Sequence, residues 1–448
     1  MPKWRTLACI AFARFLTAQA YDLSDGLVTQ VSARLAQGAQ KSWELGTRAE
    51  AILELNASSY SVVSHNALPP PNIIPDSLTN ALEPFFEIAK NTVAGRAASN
   101  NYTQGPQPLI QDGSAADPAS IGFAVLLANW TGYDATSGNQ TLDYAGAAKD
   151  QLDFLLEKIP RTSDGAISHR VSEVQLWSDF ISMVPPFLAY YGVLTKNRTL
   201  LLEAHNQISL YRKYLRDDKA QGLWRHVLLG NDFSDEGHWA TGNGWAAAGM
   251  LRVLATIQNS EFANTFKNEQ GDLISWVHEI HTAMYAQLDR NVLLFTNYPD
   301  QPVTASGNFY DAASTALLAS TVYRLSLLTS SPFITDTSIS KPIHTHLPLA
   351  EKSRKALAAP APNGTHQYFT SDGWLTPVVN PDSFTQKGSD SPEGQAFVVM
   401  MQASWNDWQA DGSKGGNGAL GMMDRSKFAG GWGVWIGVCV GVISSVGL

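Results

Sequence analysis

The feature that most constrains the fold is a succession of segments in which apolar residues recur at helical spacing. In the segment 201–215, for example, Leu201, Ile208, Tyr211 and Leu215 fall on one helical face. Clusters of Gly, Pro, Asn and Asp separate such segments from one another. Ten or more helices are therefore expected, with loops between them and few strands. Six further segments share the pattern: 77–93, 118–130, 141–159, 242–257, 311–328 and 393–408.

The length of the chain allows one large domain or two to three ordinary ones. Its 448 residues contain no Pro/Gly-rich linker that divides the body, and the loop-rich stretch 330–390 leads back into a helix at Pro392. We therefore predict one all-α domain over 21–410. Alternating helices of similar length favour a closed ring of helical hairpins, and a stack of helical repeats is the alternative.

Composition and charge exclude several classes of protein. Hydrophobic residues make up 44% of the chain and charged residues 16%, which is typical of a chain with a large core and not of a disordered one. The net charge of -9 argues against binding to nucleic acid, which needs clustered Lys and Arg. His278 and His281 lack the spacing of a zinc-binding helix, so we expect no metal and no cofactor.

The first 20 residues resemble a secretion signal. They combine a basic start, a short apolar run and an Ala-Gln-Ala sequence that fits a cleavage site. We therefore expect a secreted protein that begins after residue 20. Asn-x-Ser/Thr sequons agree with a secretory route and predict glycosylation. They occur at six positions: Asn56, Asn101, Asn129, Asn139, Asn197 and Asn363.

The other end of the chain resembles a signal for a glycolipid anchor. Residues 428–448 carry no charge and are long enough to cross a bilayer, but they are rich in Gly and no basic segment follows them. Residues 411–427 provide a polar spacer with Asn417 as the expected attachment residue. A true tail helix or a buried tail is the alternative. Cys9 and Cys439 both lie in segments that would be removed, so no disulfide is expected.

Residues that can carry chemistry are concentrated between 164 and 249. Asp179 follows Trp177 and precedes an apolar helix. A carboxylate at this position can cap free N–H groups of the helix. Burial among aromatic rings can instead raise its pKa, so that it donates a proton near neutral pH. The sequence leaves both roles open.

The same stretch contains side chains suited to a sugar. Trp177, Trp239 and Trp245 offer flat faces against which the C–H faces of a sugar ring can pack. Gly242 and Gly244 allow the backbone to approach a ligand closely. The alternative is a glycine-rich turn whose Trp side chains fill the core.

Together these motifs resemble those of the six-hairpin glycosidases. The likeness is strongest to the unsaturated rhamnogalacturonyl hydrolases of glycoside hydrolase family 105, followed by the unsaturated glucuronyl hydrolases of family 88. It covers roughly 75–410 and implies an (α/α)6 barrel. The motifs are Leu-Trp-Ser-Asp at 176–179, Met-x-x-Pro-Phe-Leu-Ala at 183–189, Gly-Leu-x-x-His at 222–226, Trp-x-x-Gly-Asn-Gly-Trp at 239–245 and Ser-Pro-Glu-Gly-Gln-Ala-Phe at 391–397.

The resemblance also implies a mechanism and a set of site residues. Asp179 falls on the catalytic acid of the family, which protonates the C4=C5 double bond of an unsaturated uronic acid. Water then adds at C5, and the hemiketal opens to release the next sugar. His226 would contact the substrate or the water. The residues implied to bind substrate are Trp177, His226, Trp239, Thr241, Asn243 and Trp245.

Two positions depart from the family pattern. Thr241 stands where the family commonly has an Arg, which could grip the uronate carboxylate through two hydrogen bonds. Either Arg225 or His238 compensates, or the substrate differs. The second Asp of the family is also displaced. Ser120 holds the nearest position, and Asp117, one helical turn earlier, is the candidate second carboxylate.

Three functions follow from these observations. The first is a secreted glycosidase, anchored at the cell surface, that acts on unsaturated oligosaccharides from pectin-like polymers. The second is a conventional inverting glycosidase, which needs two carboxylates about 6.5–9.5 Å apart. The third is a carbohydrate-binding protein of the cell wall that has lost catalysis. In each case the expected partner is an oligosaccharide, and contact with a membrane would involve only the C-terminal tail.

Overall fold

The computed structural model describes residues 21–65, 68–231, 233–329 and 345–416, and helices dominate this part of the chain. The expected all-α class is thereby confirmed. Three short 3-10 helices (Ser58–Tyr60, Asp117–Ile121 and Asp218–Ala220) and a π-helical turn (Phe154–Lys158) supplement the α-helices. The α-helices of the described ranges are α1 (Asp25–Gly38), α2 (Ser42–Asn56), α3 (Asp76–Ser99), α4 (Gly122–Thr131), α5 (Tyr144–Asp153), α6 (Phe180–Leu194), α7 (Arg198–Leu215), α8 (Ala240–Gln258), α9 (Lys267–Ala286), α10 (Ala312–Thr329), α11 (Leu347–Ala358) and α12 (Pro392–Ala410).

The even-numbered helices form a closed inner ring. Each of α2, α4, α6, α8, α10 and α12 packs against the next, and α12 packs back against α2. The odd-numbered helices lie outside them, with α7 against α6 and α9 against α8. This closure is the (α/α)6 barrel implied by the resemblance, and it excludes the open stack of helical repeats.

The inner helices are apolar because neighbours surround them on all sides. Every residue of α8 from Ala240 to Ile257 is buried, as expected for a helix that is hydrophobic around its whole circumference. Gly249 lets α8 approach α6 closely, since a Cβ at this position would lie 2.0 Å from the carbonyl oxygen of Ile181. The Ser182 hydroxyl of α6 donates to the carbonyl of Trp245 at 2.6 Å.

Short antiparallel strands lie in the loops between helices. The pairing of β3 with β6 matters most, because it joins the loop before α6 to the loop before α8. Leu176 pairs with Leu228 and Trp177 with Val227. The pairs in the described residues are β1 (Thr136–Ser137) with β2 (Gln140–Thr141), β3 (Leu176–Trp177) with β6 (Val227–Leu228), β4 (Arg216–Asp217) with β5 (Leu223–Trp224), β7 (Phe295–Thr296) with β8 (Tyr310–Asp311), and β9 (Val378–Asn380) with β10 (Ser383–Gly388).

Candidate active site

A cavity of about 480 Å³ opens at the end of the ring where inner helices begin. Its wall includes Ser42 at the start of α2, Asp117 just before α4, Asp179 just before α6 and Glu393 in the first turn of α12. The N-terminal ends of these helices place partial positive charge at this end of the ring. Of the residues predicted from the sequence, those that line the cavity are Asp117, Trp177, Asp179, Trp239 and Trp245.

Asp179 occupies the N-cap position of α6 without capping the helix through its side chain. Only 15% of that side chain is exposed, and Oδ2 lies 3.6 Å from Nε2 of His226. The Ser178 hydroxyl donates to the same oxygen at 3.1 Å. Burial raises the pKa of Asp179 above its ordinary value, more than the neighbouring His226 lowers it. Of the two roles left open by the sequence, the geometry favours the proton donor.

The β3–β6 pairing brings Asp179 and His226 together. The N–H of Ser178 donates to the carbonyl of His226 at 2.9 Å, so the strand that leads into Asp179 is tied to the residue that faces it. His226 itself is fully buried. The sequence separation of the two residues therefore gives no indication of their contact, which depends on the pairing of two-residue strands.

A second carboxylate orients His226 from behind. Oδ2 of Asp235 lies 2.9 Å from Nδ1 of His226 and accepts a hydrogen bond of 2.7 Å from the Tyr298 hydroxyl. Burial alone would raise the pKa of Asp235, but hydrogen bonds from His226, Tyr298 and the Gly237 N–H hold it below its ordinary value. An ionised Asp235 accepts a hydrogen bond from Nδ1–H of His226, which fixes the ring with Nε2 facing Asp179.

Aromatic rings surround this acid and histidine. Trp177 stacks on His169 with ring centroids 4.9 Å apart and an interplanar angle of 13°. Phe384, from the β9–β10 hairpin, contacts Trp177 edge-on at 5.7 Å and lies 5.3 Å from Trp239. The sequence pointed to the tryptophans as a sugar platform but not to Phe384, Asp235 or Tyr298. None of these three belongs to the quoted motifs, and no local periodicity marks them.

Two of the other carboxyl groups in the cavity wall, Asp117 and Glu393, have raised pKa values like Asp179. Oδ1 of Asp117 lies 3.4 Å from Nε2 of His169. Burial, followed by the charges of Asp112 and Asp179, raises the pKa of Asp117 well above its ordinary value. Glu393 is only 2% exposed, and burial, followed by the charge of Asp179, raises its pKa well above the usual range. Because like charges in one buried site oppose each other, these groups resist ionising together.

Thr241 and Asn243 are not among the residues that line the cavity, and their contact with a sugar stays a prediction. Both are fully buried. The Thr241 hydroxyl donates to Asp311 at 3.4 Å. The Asn243 amide accepts from the Trp224 N–H at 2.9 Å and donates to the carbonyls of Trp224 and Trp239 at 3.0 Å each. The hydrogen bonds of both side chains are made within the protein. They hold the start of α8 in place.

Arg225 and His238 do not compensate for Thr241, although the sequence suggested that one of them might. Arg225 forms an ion pair of 2.6 Å with Asp217. His238 lies 2.7 Å from Asp300 through Nδ1. Neither of them lines the cavity, whose wall includes the cationic side chains of Arg170 and Lys41 instead.

The remaining predictions concern the surface and the ends of the chain. All six sequon asparagines are exposed, as acceptors must be, and their glycosylation stays a prediction. Within the described ranges, no helix is long and apolar enough to cross a membrane. The same ranges contain no cluster of three or more His, Cys, Asp or Glu that could hold a metal ion. Residues 1–20, Asn417 and 428–448 lie outside the described residues.

Comparison with known proteins identifies the relationship. Residues 96–281 match the sequence profile described as Glycosyl Hydrolase Family 88. Among curated proteins, none matches the chain. A possible member of the GH105 family from Klebsiella pneumoniae has a similar structure, with a TM-score of 0.60 at 17% identity, covering 91% of this chain and 100% of its own.

Two further structures have the same fold. A family 105 glycoside hydrolase from C. acetobutylicum gives a TM-score of 0.58 at 14% identity over 84% of this chain and 99% of its own. An unsaturated glucuronyl hydrolase specific for heparin gives 0.54 at 13% identity over 86% and 96%, respectively. The family 88 match over 96–281 and the shared fold confirm the resemblance seen in the motifs: the chain is a glycosidase built on the six-hairpin fold.

Proposed function

We propose that this glycosidase releases unsaturated uronic acid from pectin-derived oligosaccharides by hydrating the C4=C5 double bond. The observation that carries the proposal is Asp179, a buried carboxyl group with a raised pKa in a cavity walled by Trp177 and Trp239. An alkene is a weak base, so its protonation needs an acid that still holds its proton near neutral pH and sits close to the substrate. The raised pKa of Asp179 and its place in the cavity wall fit these requirements.

The reaction proceeds in four steps. Asp179 transfers its proton to C4, and positive charge develops at C5, next to the ring oxygen. Water adds at C5 and loses a proton to the Asp179 carboxylate, which restores the acid. The resulting hemiketal then opens by breaking the bond between C5 and the ring oxygen, which leaves a ketone at C5 and a hemiacetal hydroxyl at C1. The hemiacetal collapses to an aldehyde and breaks the bond to the neighbouring sugar, whose oxygen takes up the proton. One carboxyl group thus acts first as acid and then as base, and the paired carboxylates of an ordinary glycosidase are not required.

His226 supports this proton cycle. With Nδ1 engaged by Asp235, Nε2 faces the acid across 3.6 Å, where a hydrogen bond can link it to Asp179 or to the attacking water. The full burial of His226 keeps its ring orientation fixed. The Asp235–Tyr298 pair therefore positions the histidine without contacting the substrate.

Replacing Asp179 with Asn tests the proposal. The substrate is a mixture of oligosaccharides made by a pectin lyase, and the readout is the loss of ultraviolet absorbance from the C=C bond conjugated to the carboxylate. Asp179→Asn should lower the rate on the order of 10²–10⁴-fold, the usual contribution of a positioned acid. Asp382→Asn, at an exposed carboxylate of the same cavity, should retain activity. An active, folded Asp179→Asn protein would refute the role.

A conventional inverting mechanism is the second candidate, because Asp117 and Asp179 line the same cavity. It predicts release of saturated sugar from uronides that lack the double bond, and loss of that activity in both Asp117→Asn and Asp179→Asn. Hydration predicts no turnover of such saturated substrates. Comparing saturated and unsaturated forms of one disaccharide therefore separates the two mechanisms.

We also propose secretion and attachment to the cell surface. The N-terminal signal-like segment, the exposed sequons and the uncharged C-terminal segment support this location. A polymer such as pectin lies outside the cell, so its degradation products are met there. A phospholipase specific for phosphatidylinositol should release the protein from intact cells, and retention after treatment would contradict the glycolipid anchor.

A further inference from the structure

Arg170 is a cavity residue for which the mechanism above has no use. It follows His169 in the loop before α6 and lines the same cavity as Trp177. In the part of the chain that the structure describes, its guanidinium forms no ion pair within 4.0 Å and no side-chain hydrogen bond. Arg225, by contrast, is paired with Asp217. A cation that faces a cavity without a direct partner is available to a ligand.

Asp112 and Asp117 interact electrostatically with Arg170, but neither forms an ion pair with it. Asp112 is occupied by other donors, namely the Ser42 hydroxyl and the Ser114 N–H at 2.9 Å. Burial raises the pKa of Asp117, and Arg170 opposes that rise only in part. The raised pKa of Asp117 favours its neutral form, which weakens its attraction for the guanidinium. Lys41 adds a second positive charge at the rim, where it pairs loosely with Asp382 at 3.5 Å.

We infer that Arg170, with Lys41 at the rim, binds the carboxylate of the unsaturated uronic acid. The carboxylate is then held from the loop before α6 and not from residue 241. This inference rests on the proposed function and names the group that selects its substrate. A guanidinium can hold a carboxylate through two parallel hydrogen bonds, which a Thr hydroxyl cannot replace. Thr241 is buried against Asp311 and offers nothing to the cavity.

The location of Arg170 also predicts how the sugar lies. The arginine adjoins His169, on which Trp177 is stacked. A ring packed against the exposed part of Trp177 would direct its carboxylate toward Arg170 while its double bond stays near Asp179. Recognition of the acid and protonation of the alkene are thus assigned to residues at the two ends of one loop, 170–179.

Paired substrates test this inference. The free unsaturated uronyl disaccharide and its methyl ester have the same double bond, but only the first carries a charge. Arg170→Gln should lower kcat/KM for the free acid on the order of ten- to a hundredfold, mainly through KM, and should change the value for the ester little. Arg170→Lys should restore part of the preference. Arg225→Gln, at a paired arginine outside the cavity, should behave as wild type.

A merely structural role for Arg170 gives a different result. If the arginine only balances Asp112 and Asp117, Arg170→Gln lowers turnover of both substrates equally, and the inference is overturned. Equilibrium binding of the two disaccharides to wild type and Arg170→Gln is measured in parallel. In another outcome, wild type binds the free acid better than the ester, Arg170→Gln loses this preference, and wild type turns over neither substrate. That result would refute the proposed reaction but support the carboxylate site. Absence of that preference would refute the site.

Discussion

Glu393 is buried in the cavity wall at the start of α12, where it is 2% exposed. Trp43 donates a hydrogen bond to it, but Oε1 has no hydrogen-bond partner among the described residues. Burial and the charge of Asp179 both disfavour its ionised form. At a pH that favours ionisation of such a group, the free energy of unfolding falls, because the unfolded chain ionises the group freely.

Replacing Glu393 with Gln should therefore stabilise the protein at high pH. A folded-state pKa above the ordinary 4.5 means that wild type is relatively most stable below pH 4.5 and loses this contribution as pH rises through the folded pKa. Gln does not titrate and can still accept from Trp43. Each unit of pKa displacement corresponds to about 1.4 kcal/mol. Denaturation midpoints of the two proteins should match at about pH 4 and should favour Glu393→Gln at about pH 8.

The control for this experiment is Glu83→Gln, at an exposed glutamate of α3. It should leave the difference between the two midpoints unchanged, because its side chain is exposed and lies outside the cavity. If Glu393→Gln is less stable than wild type at both pH values, Glu393 contributes to packing or hydrogen bonding and is not a strained acid.

Sequence reasoning found the residues that sit in motifs and missed those that act through distant contacts. Asp179 was marked by its position between an indole and an apolar helix. Asp235 and Tyr298 orient His226 but come from two separate loops, so only the folded ring reveals them. Thr241 was assigned to the sugar because its position in the family motif is known, whereas its orientation depends on the contact with Asp311.

At the scale of elements, helical spacing was a good guide wherever the buried face is apolar. The expected segments 242–257 and 311–328 correspond to α8 and α10. The segment 141–159 ends differently, because α5 stops at Asp153 and continues as a π-helical turn. Helix α2 was not picked out individually. It buries three glutamates, which erase the apolar pattern that periodicity detects: Glu44, Glu50 and Glu54.

The β9–β10 hairpin lies within the stretch 330–390, which the sequence marked only as rich in loops. Asp311 accepts a hydrogen bond from the Val379 N–H at 3.1 Å, and the Asn297 amide donates to the carbonyl of Phe384 at 2.5 Å. These contacts fix Phe384 between Trp177 and Trp239, with its ring 4.4 Å from that of His226. The hairpin thereby completes the aromatic wall of the cavity.

Removing the Phe384 ring should weaken substrate binding more than it slows the chemical step. Phe384→Ala opens the wall beside Trp177 to water, while Asp179 and His226 keep their contact. An aromatic contact contributes about 0.5–1.5 kcal/mol beyond its buried area, so KM should rise roughly threefold to tenfold. Steady-state kinetics measure the effect. Tyr102→Ala, at a 74% exposed ring outside the cavity, is the control. A fall in kcat with KM unchanged would show that the hairpin acts on the acid itself.

At the scale of the whole molecule, closing the ring requires contact between the first and last inner helices. Arg324 of α10 supplies one such link, since its guanidinium pairs with Glu54 of α2 at 2.8 Å and with Asp407 of α12. Arg324 and Glu54 each expose 5% of their side chains. Burial raises the pKa of Glu54, against the attraction of Arg324. The buried guanidinium of Arg324 therefore joins α10 to α2 and to α12, which are far apart in the sequence.

Replacing Arg324 with Met should destabilise the fold strongly, because it leaves Glu54 buried without its partner. Breaking a buried ion pair from one side costs about 3–5 kcal/mol. The double variant Arg324→Met with Glu54→Gln removes the stranded charge and should recover part of that loss. Lys149→Met, which breaks the largely exposed pair with Asp153, should cost less than about 1 kcal/mol. Urea denaturation measures all three. If the double variant is no more stable than Arg324→Met, the buried charge is not what holds these helices in register, and ring closure depends on apolar packing of α12 against α2 and α10.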